Sequence, residues 1–164
     1  GAHCAYFDGK NLEDNNFGLG FILGDEGSSN YLGKKLLMAF LTEKLPLDLR
    51  IQLETKYNLD RPTILERIYK KPQAQQYLSS FFEFFIENRT HSYIQKCVDD
   101  AFETYMQVYM LPTIKTHPGK EIHFVGVVAG HFQDRLRTIV NKHGFEITTI
   151  TKEPIYNLLN YYSN

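Results

Sequence analysis

Along most of this chain, apolar residues recur at the three- and four-residue spacing of amphipathic helices. Tyr31, Leu32, Leu36, Ala39 and Phe40 mark the first such stripe. Ser28 or Ser29, just before it, can cap a helix by accepting from the free N–H groups of its first turn. Further helices are predicted over about 47–57, 63–70, 73–87 and 92–110. The segment 73–87 places Leu78, Phe81, Phe82, Phe85 and Ile86 on one face, and 92–110 carries a stripe of Ile94, Cys97, Val98, Ala101, Phe102 and Tyr105. Pro46, Pro62, Pro72 and Pro112 punctuate these segments, where proline is tolerated at helix starts or just beyond their ends.

Strand-like patterning is confined to the two ends of the chain. Residues 4–8 alternate loosely and run into a Gly9-Lys10 turn, and Phe17–Leu23 reads as a second strand interrupted by Gly18 and Gly20. Glycine inside a strand often marks close approach of a ligand or another backbone. From about residue 118 the pattern becomes turn, buried strand, glycine-bearing turn, and a helix ending at Gly144. The short strand "FEITTIT" follows, and Pro154 introduces a last helix through Tyr162. The expected class is therefore α/β, with a mainly helical block over 31–115 inserted between strands.

Composition narrows the function classes more than the fold. The 164 residues suffice for one domain with a sizeable core or two small ones. A net charge of −1 offers no electrostatic attraction for nucleic acid or an anionic membrane. No apolar run approaches the roughly 20 residues that span a bilayer. Cys4 and Cys97 lie far apart, without zinc-type spacing, as fits a reducing compartment, and a cytoplasmic location is expected. The chain opens on Gly-Ala-His-Cys rather than methionine, so part of a longer polypeptide is expected.

Two glycine-bearing segments are candidates for chemistry. In "GLGFILGDEGSSNYLG", Asp25 and Glu26 stand before a helix start. A carboxylate there can accept from ligand hydroxyls or hold a magnesium-bound water; equally, it can cap the helix and interact with its dipole. In "FVGVVAGHFQ", a buried strand delivers a glycine turn to a helix N-terminus, whose free N–H groups can face a phosphate. The segment is neither a Walker A loop nor a GxGxxG fingerprint, and close strand–helix packing at Gly126 and Gly130 explains it as well. The six histidines show no metal-ligand spacing, no metal site is expected, and Cys97 sits in an apolar stripe as a core residue would.

Read together, these segments are far more specific. "GLGFILGDEGSSNYLGKKLL" resembles the "GWGxxxGDEGSxYWIG" signature of the N-acetylglucosamine kinase and BadF/BadG/BcrA/BcrD-type ATPase family. "HFVGVVAGHFQDRLRTIVNKHGFEITTITKEPIYNLLNYY" is similar to that family's "FVGSVAxxF" strand and helix with its closing "SPIxGL" element, and "KKPQAQQYLSSFFEFFIEN" resembles "KPxPNxFLASFxxFL" of bacterial members. The family belongs to the sugar kinase, Hsp70 and actin superfamily, built from two ribonuclease-H-like halves around a nucleotide cleft. The resemblance covers the second half only, so 1–164 is expected to be a single C-terminal ribonuclease-H-like domain. The preceding half, with its "DGGGTK"-type phosphate loop and catalytic aspartate, is absent from the chain, which by itself is expected not to catalyse.

What the resemblance implies can be placed residue by residue. Gly18, Leu19 and Gly20 would line a sugar pocket through backbone contacts, and Asp25 would accept hydrogen bonds from sugar hydroxyls. Leu19 departs from the family's tryptophan between the glycines. Gly126, Val127 and His131 would lie beside adenine and ribose, with Val127 replacing a frequent serine, while Ala129 and Gly130 keep the helix start close to the ligand. The implied activity is transfer of the ATP γ-phosphoryl group to an amino sugar, N-acetylglucosamine first, with ATP and Mg2+ required. The partners implied are the sugar, the N-terminal half and, by analogy, a second copy in a homodimer. Two alternatives remain. One is an ATP-hydrolysing dehydratase activator with a cysteine-held iron–sulfur cluster, although Cys4 and Cys97 do not fall in matching segments. The other is a non-catalytic sugar- or nucleotide-sensing module.

Overall fold

The computed structural model describes residues 1–15 and 17–153; the last helix predicted from Pro154 lies outside the described residues. The chain divides into two compact units, one made of Gly1–Ala2 with Gly18–Cys97, the other of His3–Phe17 with the chain from Val98 onward. Both are consistent with an α/β chain whose helices dominate and whose strands are short.

The first unit is helical. It holds α1 (Gly20–Leu23), α2 (Ser29–Leu41), α3 (Leu47–Tyr57), α4 (Arg61–Tyr69), α5 (Ala74–Ser80), α6 (Phe82–Glu87) and the start of α7 (Ser92–Tyr105). Ser28 caps α2 by accepting from the Tyr31 N–H at 3.3 Å, and Asp60 caps α4 by accepting from the Thr63 N–H at 2.9 Å. The apolar stripes meet as their spacing predicts: Leu32, Leu36, Phe40, Leu49, Leu53, Ile64, Leu78, Phe81 and Phe85 are all buried. The predicted helix 73–87 is split at Phe81, whose N–H bonds the Leu78 carbonyl three residues back, a tighter turn that sinks Phe81, Phe84 and Phe85 almost completely.

The predicted strand Phe17–Leu23 does not form. Residues 17–19 are irregular and Gly20–Leu23 make a single helical turn. Gly20 adopts φ +74°, outside the extended region, and Leu19, Ile22 and Leu23 all face solvent rather than alternating between two sides. A run of apolar residues without alternation does not distinguish strand from helix, and here the glycine conformation decides.

The second unit carries the strands. β1 (Ala5–Phe7) and β2 (Leu12–Asp14) form an antiparallel hairpin in which Ala5 faces Asp14 and Phe7 faces Leu12. Its turn is tied by the Asp8 carboxylate, which accepts from the N–H groups of Lys10 at 2.7 Å and Asn11 at 2.6 Å and is thereby held below its ordinary pKa. β3 (His123–Val125) pairs in parallel with β4 (Thr149–Thr151), the connection running through α9 (Val127–His131) and α10 (Gln133–Lys142). The predicted helix 92–110 continues as α7, widens into a π turn over Met106–Met110, and passes into α8 (Leu111–Thr116). Pro112 has no N–H for the Val108 carbonyl and its ring crowds that turn, which accounts for the widening. Asp99 and Arg135 join α7 to α10 in a two-pronged ion pair, and His143 meets Glu103 at 2.8 Å. Hydrogen bonding from Gln107, aided by His143, holds the Glu103 carboxyl below its usual range.

Among the described residues, no helix is long and apolar enough to cross a membrane.

α2 and α5 approach each other closely. A Cβ on Gly33 would lie 1.9 Å from the Leu78 carbonyl oxygen and 2.8 Å from its carbon. That neighbour is helix backbone and cannot step aside. Gly33→Ala is therefore expected to lower stability by about 1–3 kcal/mol or more despite alanine's better helix propensity. A lower chemical-denaturation midpoint at unchanged slope checks this.

Candidate functional site

The buried polar side chains of the described residues are Asp25, Ser28 and Asn30, and all three belong to one network. Asn30 Nδ2 donates to Asp25 Oδ2 at 2.9 Å, and Ser28 Oγ donates to Asn30 Oδ1 at 2.9 Å. Ser28 Oγ in turn accepts from the Tyr31 N–H. The other Asp25 oxygen, Oδ1, accepts from the Ala2 N–H at 3.3 Å. Gly1 lies against the same carboxylate, so closely that a Cβ there would meet Oδ1 at 2.6 Å. Burying a carboxylate costs several kcal/mol unless it is hydrogen-bonded, and this loop supplies the donors.

In this arrangement Asp25 belongs to a buried network at the start of α2 and is not itself the helix cap. The α2 cap is Ser28, so Asp25 is not needed to cap the helix. Instead it takes a left-handed φ of +64°, a conformation aspartate tolerates better than most residues, and turns its carboxylate inward to 4 % exposure. An ionised carboxylate offers about four lone-pair positions, of which Ala2 and Asn30 use two. Glu26 is half-buried on the same turn.

Gly18, Leu19 and Gly20 stand exposed at the entry to α1, and Leu19 exposes 60 % of its surface. One helical turn, closed by the Gly24 N–H on the Gly20 carbonyl at 2.8 Å, separates Gly20 from Asp25. These four residues thus belong to one loop of the first unit, with bare backbone at its start and a buried acid at its end.

The residues of the second glycine segment fall in the second unit. Gly126 has φ +136° and ψ 163°, a region open essentially to glycine alone; its N–H extends the β3–β4 pairing to the Thr151 carbonyl at 2.9 Å while the residue starts α9. Val127 is exposed and His131 half-buried at the other end of this five-residue helix. Gly130 serves packing, since a Cβ there would lie 2.4 Å from Lys152 Cβ, so the chain leaving β4 passes directly against α9.

Two features had no expectation attached to them. A cavity of about 230 Å³ in the second unit is lined by Cys4 and Tyr6 of the β1 strand region, Tyr105 of α7, and His117, Ile122 and Phe124, and contains none of the residues expected to line the sugar or nucleotide site. Tyr6 stacks on His117 inside it with ring centres 4.0 Å apart. The histidines, unremarkable in sequence, mostly stand beside acids: His3 with Asp14, His91 with Asp48, His117 with Glu13, His123 with Glu121 and His143 with Glu103, at 2.8–3.5 Å. Apart from His123 and Glu121, which are sequence neighbours, only the folded chain shows these pairings, the partners lying up to 104 positions apart. Asn30 did carry a signal: a polar residue of modest helix propensity in the first turn of an otherwise apolar inward face.

No protein-family profile matches the chain, and no curated protein sequence matches it. Solved structures do. One from Porphyromonas gingivalis, described as a "Putative N-acetylglucosamine Kinase", superimposes with a TM-score of 0.86 at 28% identity over 95% of this chain and 54% of its own. The chain thus spans about half the length of that protein and shares a sugar-kinase-like α/β fold with it.

The Asp25 network predicts a specific cost. Asn30→Ala removes the donor to Asp25 and the acceptor of Ser28 together, and is expected to destabilise the chain by about 1–3 kcal/mol. Urea unfolding measures the loss, and backbone amide exchange should place it in residues 24–31 rather than in the second unit.

Proposed function

We propose that this chain is the C-terminal, ribonuclease-H-like half of an ATP-dependent amino-sugar kinase, with N-acetylglucosamine the favoured substrate. The observation that carries this reading is the likeness to the Porphyromonas gingivalis protein over 95% of the chain, combined with a loop that ends on a buried, hydrogen-bonded carboxylate. Ala2 and Asn30 take two of the acid's lone-pair positions and leave others for a ligand. A ligand with several hydroxyls fits them.

In this reading the sugar lies against the Gly18–Leu19–Gly20 backbone, where no side chain on the glycines blocks approach. Its hydroxyls donate to the lone pairs of Asp25 left over by Ala2 and Asn30. Asn30 and Ser28 fix the carboxylate's orientation, so little ordering remains to be done on binding. Gly126, Val127 and His131 lie beside the adenine and ribose of ATP. The reaction forms a bond from the sugar hydroxyl oxygen to the γ-phosphorus and breaks the bond from that phosphorus to the β–γ bridging oxygen, releasing ADP. The hydroxyl proton passes to a carboxylate supplied by the preceding half. Among the described residues no group of three or more metal-ligating side chains gathers. Magnesium would be carried on the ATP phosphates, where it would neutralise charge, while this chain contributes substrate orientation.

The test is magnesium-dependent ADP release by a polypeptide joining this chain to the preceding half, assayed with a panel of amino sugars. Release with N-acetylglucosamine is expected, and Asp25→Asn should lower kcat/KM by on the order of ten- to a hundredfold. A folded protein that binds ATP and releases no ADP with any sugar overturns the kinase reading. Sugar-independent ADP release would favour the ATPase activator, and sugar binding without turnover the sensing module.

A further inference from the structure

α1 has almost nothing of its own to hold it. None of its four residues is buried, neither end is capped by a side chain, and Ile22 and Leu23 expose 71% and 74% of their surface. A single turn of helix is unstable in isolation, because nucleation costs more than one hydrogen bond returns. Yet the turn fixes the backbone that runs from Gly18 to Asp25.

Support comes from Lys34. Its ammonium donates to two carbonyls of α1, Phe21 O at 3.3 Å and Ile22 O at 3.4 Å. These are end-of-helix acceptors with no partner inside the turn, and a cation at a helix C-terminus is also favoured by the backbone dipoles. The base of Lys34 is rigid: it follows Gly33, the residue at which α2 presses on the backbone of α5. The ammonium also lies 5.4 Å from the centre of the Tyr31 ring, which further restricts the side chain. The turn opens on a residue in a left-handed conformation, Gly20 at φ +74°, and a second, Asp25 at +64°, follows it. The segment is therefore a single helical turn set between two left-handed residues and fastened by one side chain.

We propose that Lys34 is a positioning residue, a latch that fastens α1 to α2 and thereby sets the path of the backbone from Gly18 to Asp25. Naming an amino sugar as what lies on that backbone rests on the function proposed above; the latch itself does not. Lys34 touches no reacting atom. Its effect passes through the carbonyls of Phe21 and Ile22.

Three forms of the chain test it: the parent, Lys34→Met, which keeps the aliphatic length without donors, and Lys34→Arg, which keeps donors. Exchange of the Gly24 amide, whose hydrogen bond closes the α1 turn, should quicken on the order of tenfold in Lys34→Met and return toward the parent rate in Lys34→Arg. Exchange in the middle of α2 should stay as in the parent, which separates an opened latch from general unfolding. Equal Gly24 exchange in parent and Lys34→Met overturns the latch. In the joined polypeptide, Lys34→Met should raise KM for N-acetylglucosamine several-fold and leave KM for ATP unchanged. Faster exchange with an unchanged sugar KM would overturn the positioning role. Should the joined polypeptide transfer no phosphoryl group at all, the kinase reading fails and the exchange measurement alone decides the latch.

Discussion

A carboxylate buried to 4 % exposure has to be surrounded by donors, and at Asp25 that requirement organises everything around it. Asn30 must sit in the first turn of α2 to reach one oxygen, Ser28 must turn its hydroxyl to Asn30 as well as cap the helix, and the chain must bend left-handed at Asp25 itself. The backbone of Ala2 closes the other side. None of these residues could be chosen independently. The start of α2 is thus both a helix terminus and one side of a buried polar network, and the loss of Asn30 leaves two others buried without the bonds it makes.

α2 can hold that network in place because it is fixed elsewhere. Its apolar face is buried through Leu32, Leu36 and Phe40, and Gly33 lets it press against the backbone of α5. Glycine does two different things in this chain. At Gly33 and Gly130 the missing Cβ makes room for a neighbouring segment, whereas at Gly20 and Gly126 it permits a backbone conformation with open space around it. The first kind builds rigid supports and the second kind shapes loops. Gly20, a shaping glycine, is joined to the support that Gly33 provides through the Lys34 side chain.

Much of this was legible in the sequence. The helical stripes of α2 to α7 follow from apolar spacing alone, because burying a face is what stabilises each helix. The Ser28 cap and the β1 hairpin turn are local chemistry that a few residues specify. The expected strand over Phe17–Leu23 failed because its apolar run fits either period, and only the backbone angle at Gly20 separates them. The breaks at Phe81 and before Pro112 depend on packing and on a missing donor within long helical patterns, which spacing does not register. In the loop, Gly18, Gly20 and Asp25 stood out by type and resemblance, Asn30 only as a polar residue on an apolar helix face, and Lys34 not at all. The roles of the last two are defined by partners brought near in the fold: an amide aimed at a carboxylate and an ammonium aimed at two carbonyls.

The central claim is that the Gly18–Asp25 loop is built to hold a polyhydroxylated ligand on a pre-oriented carboxylate. The most direct measurement is a crystal structure of the protein grown with N-acetylglucosamine. The account predicts the sugar ring against the Gly18–Gly20 backbone, with at least one hydroxyl within about 3.2 Å of an Asp25 oxygen and the Asn30 contact retained. A sugar bound elsewhere, or an occupied loop in which Asp25 still bonds only Ala2 and Asn30, would contradict it.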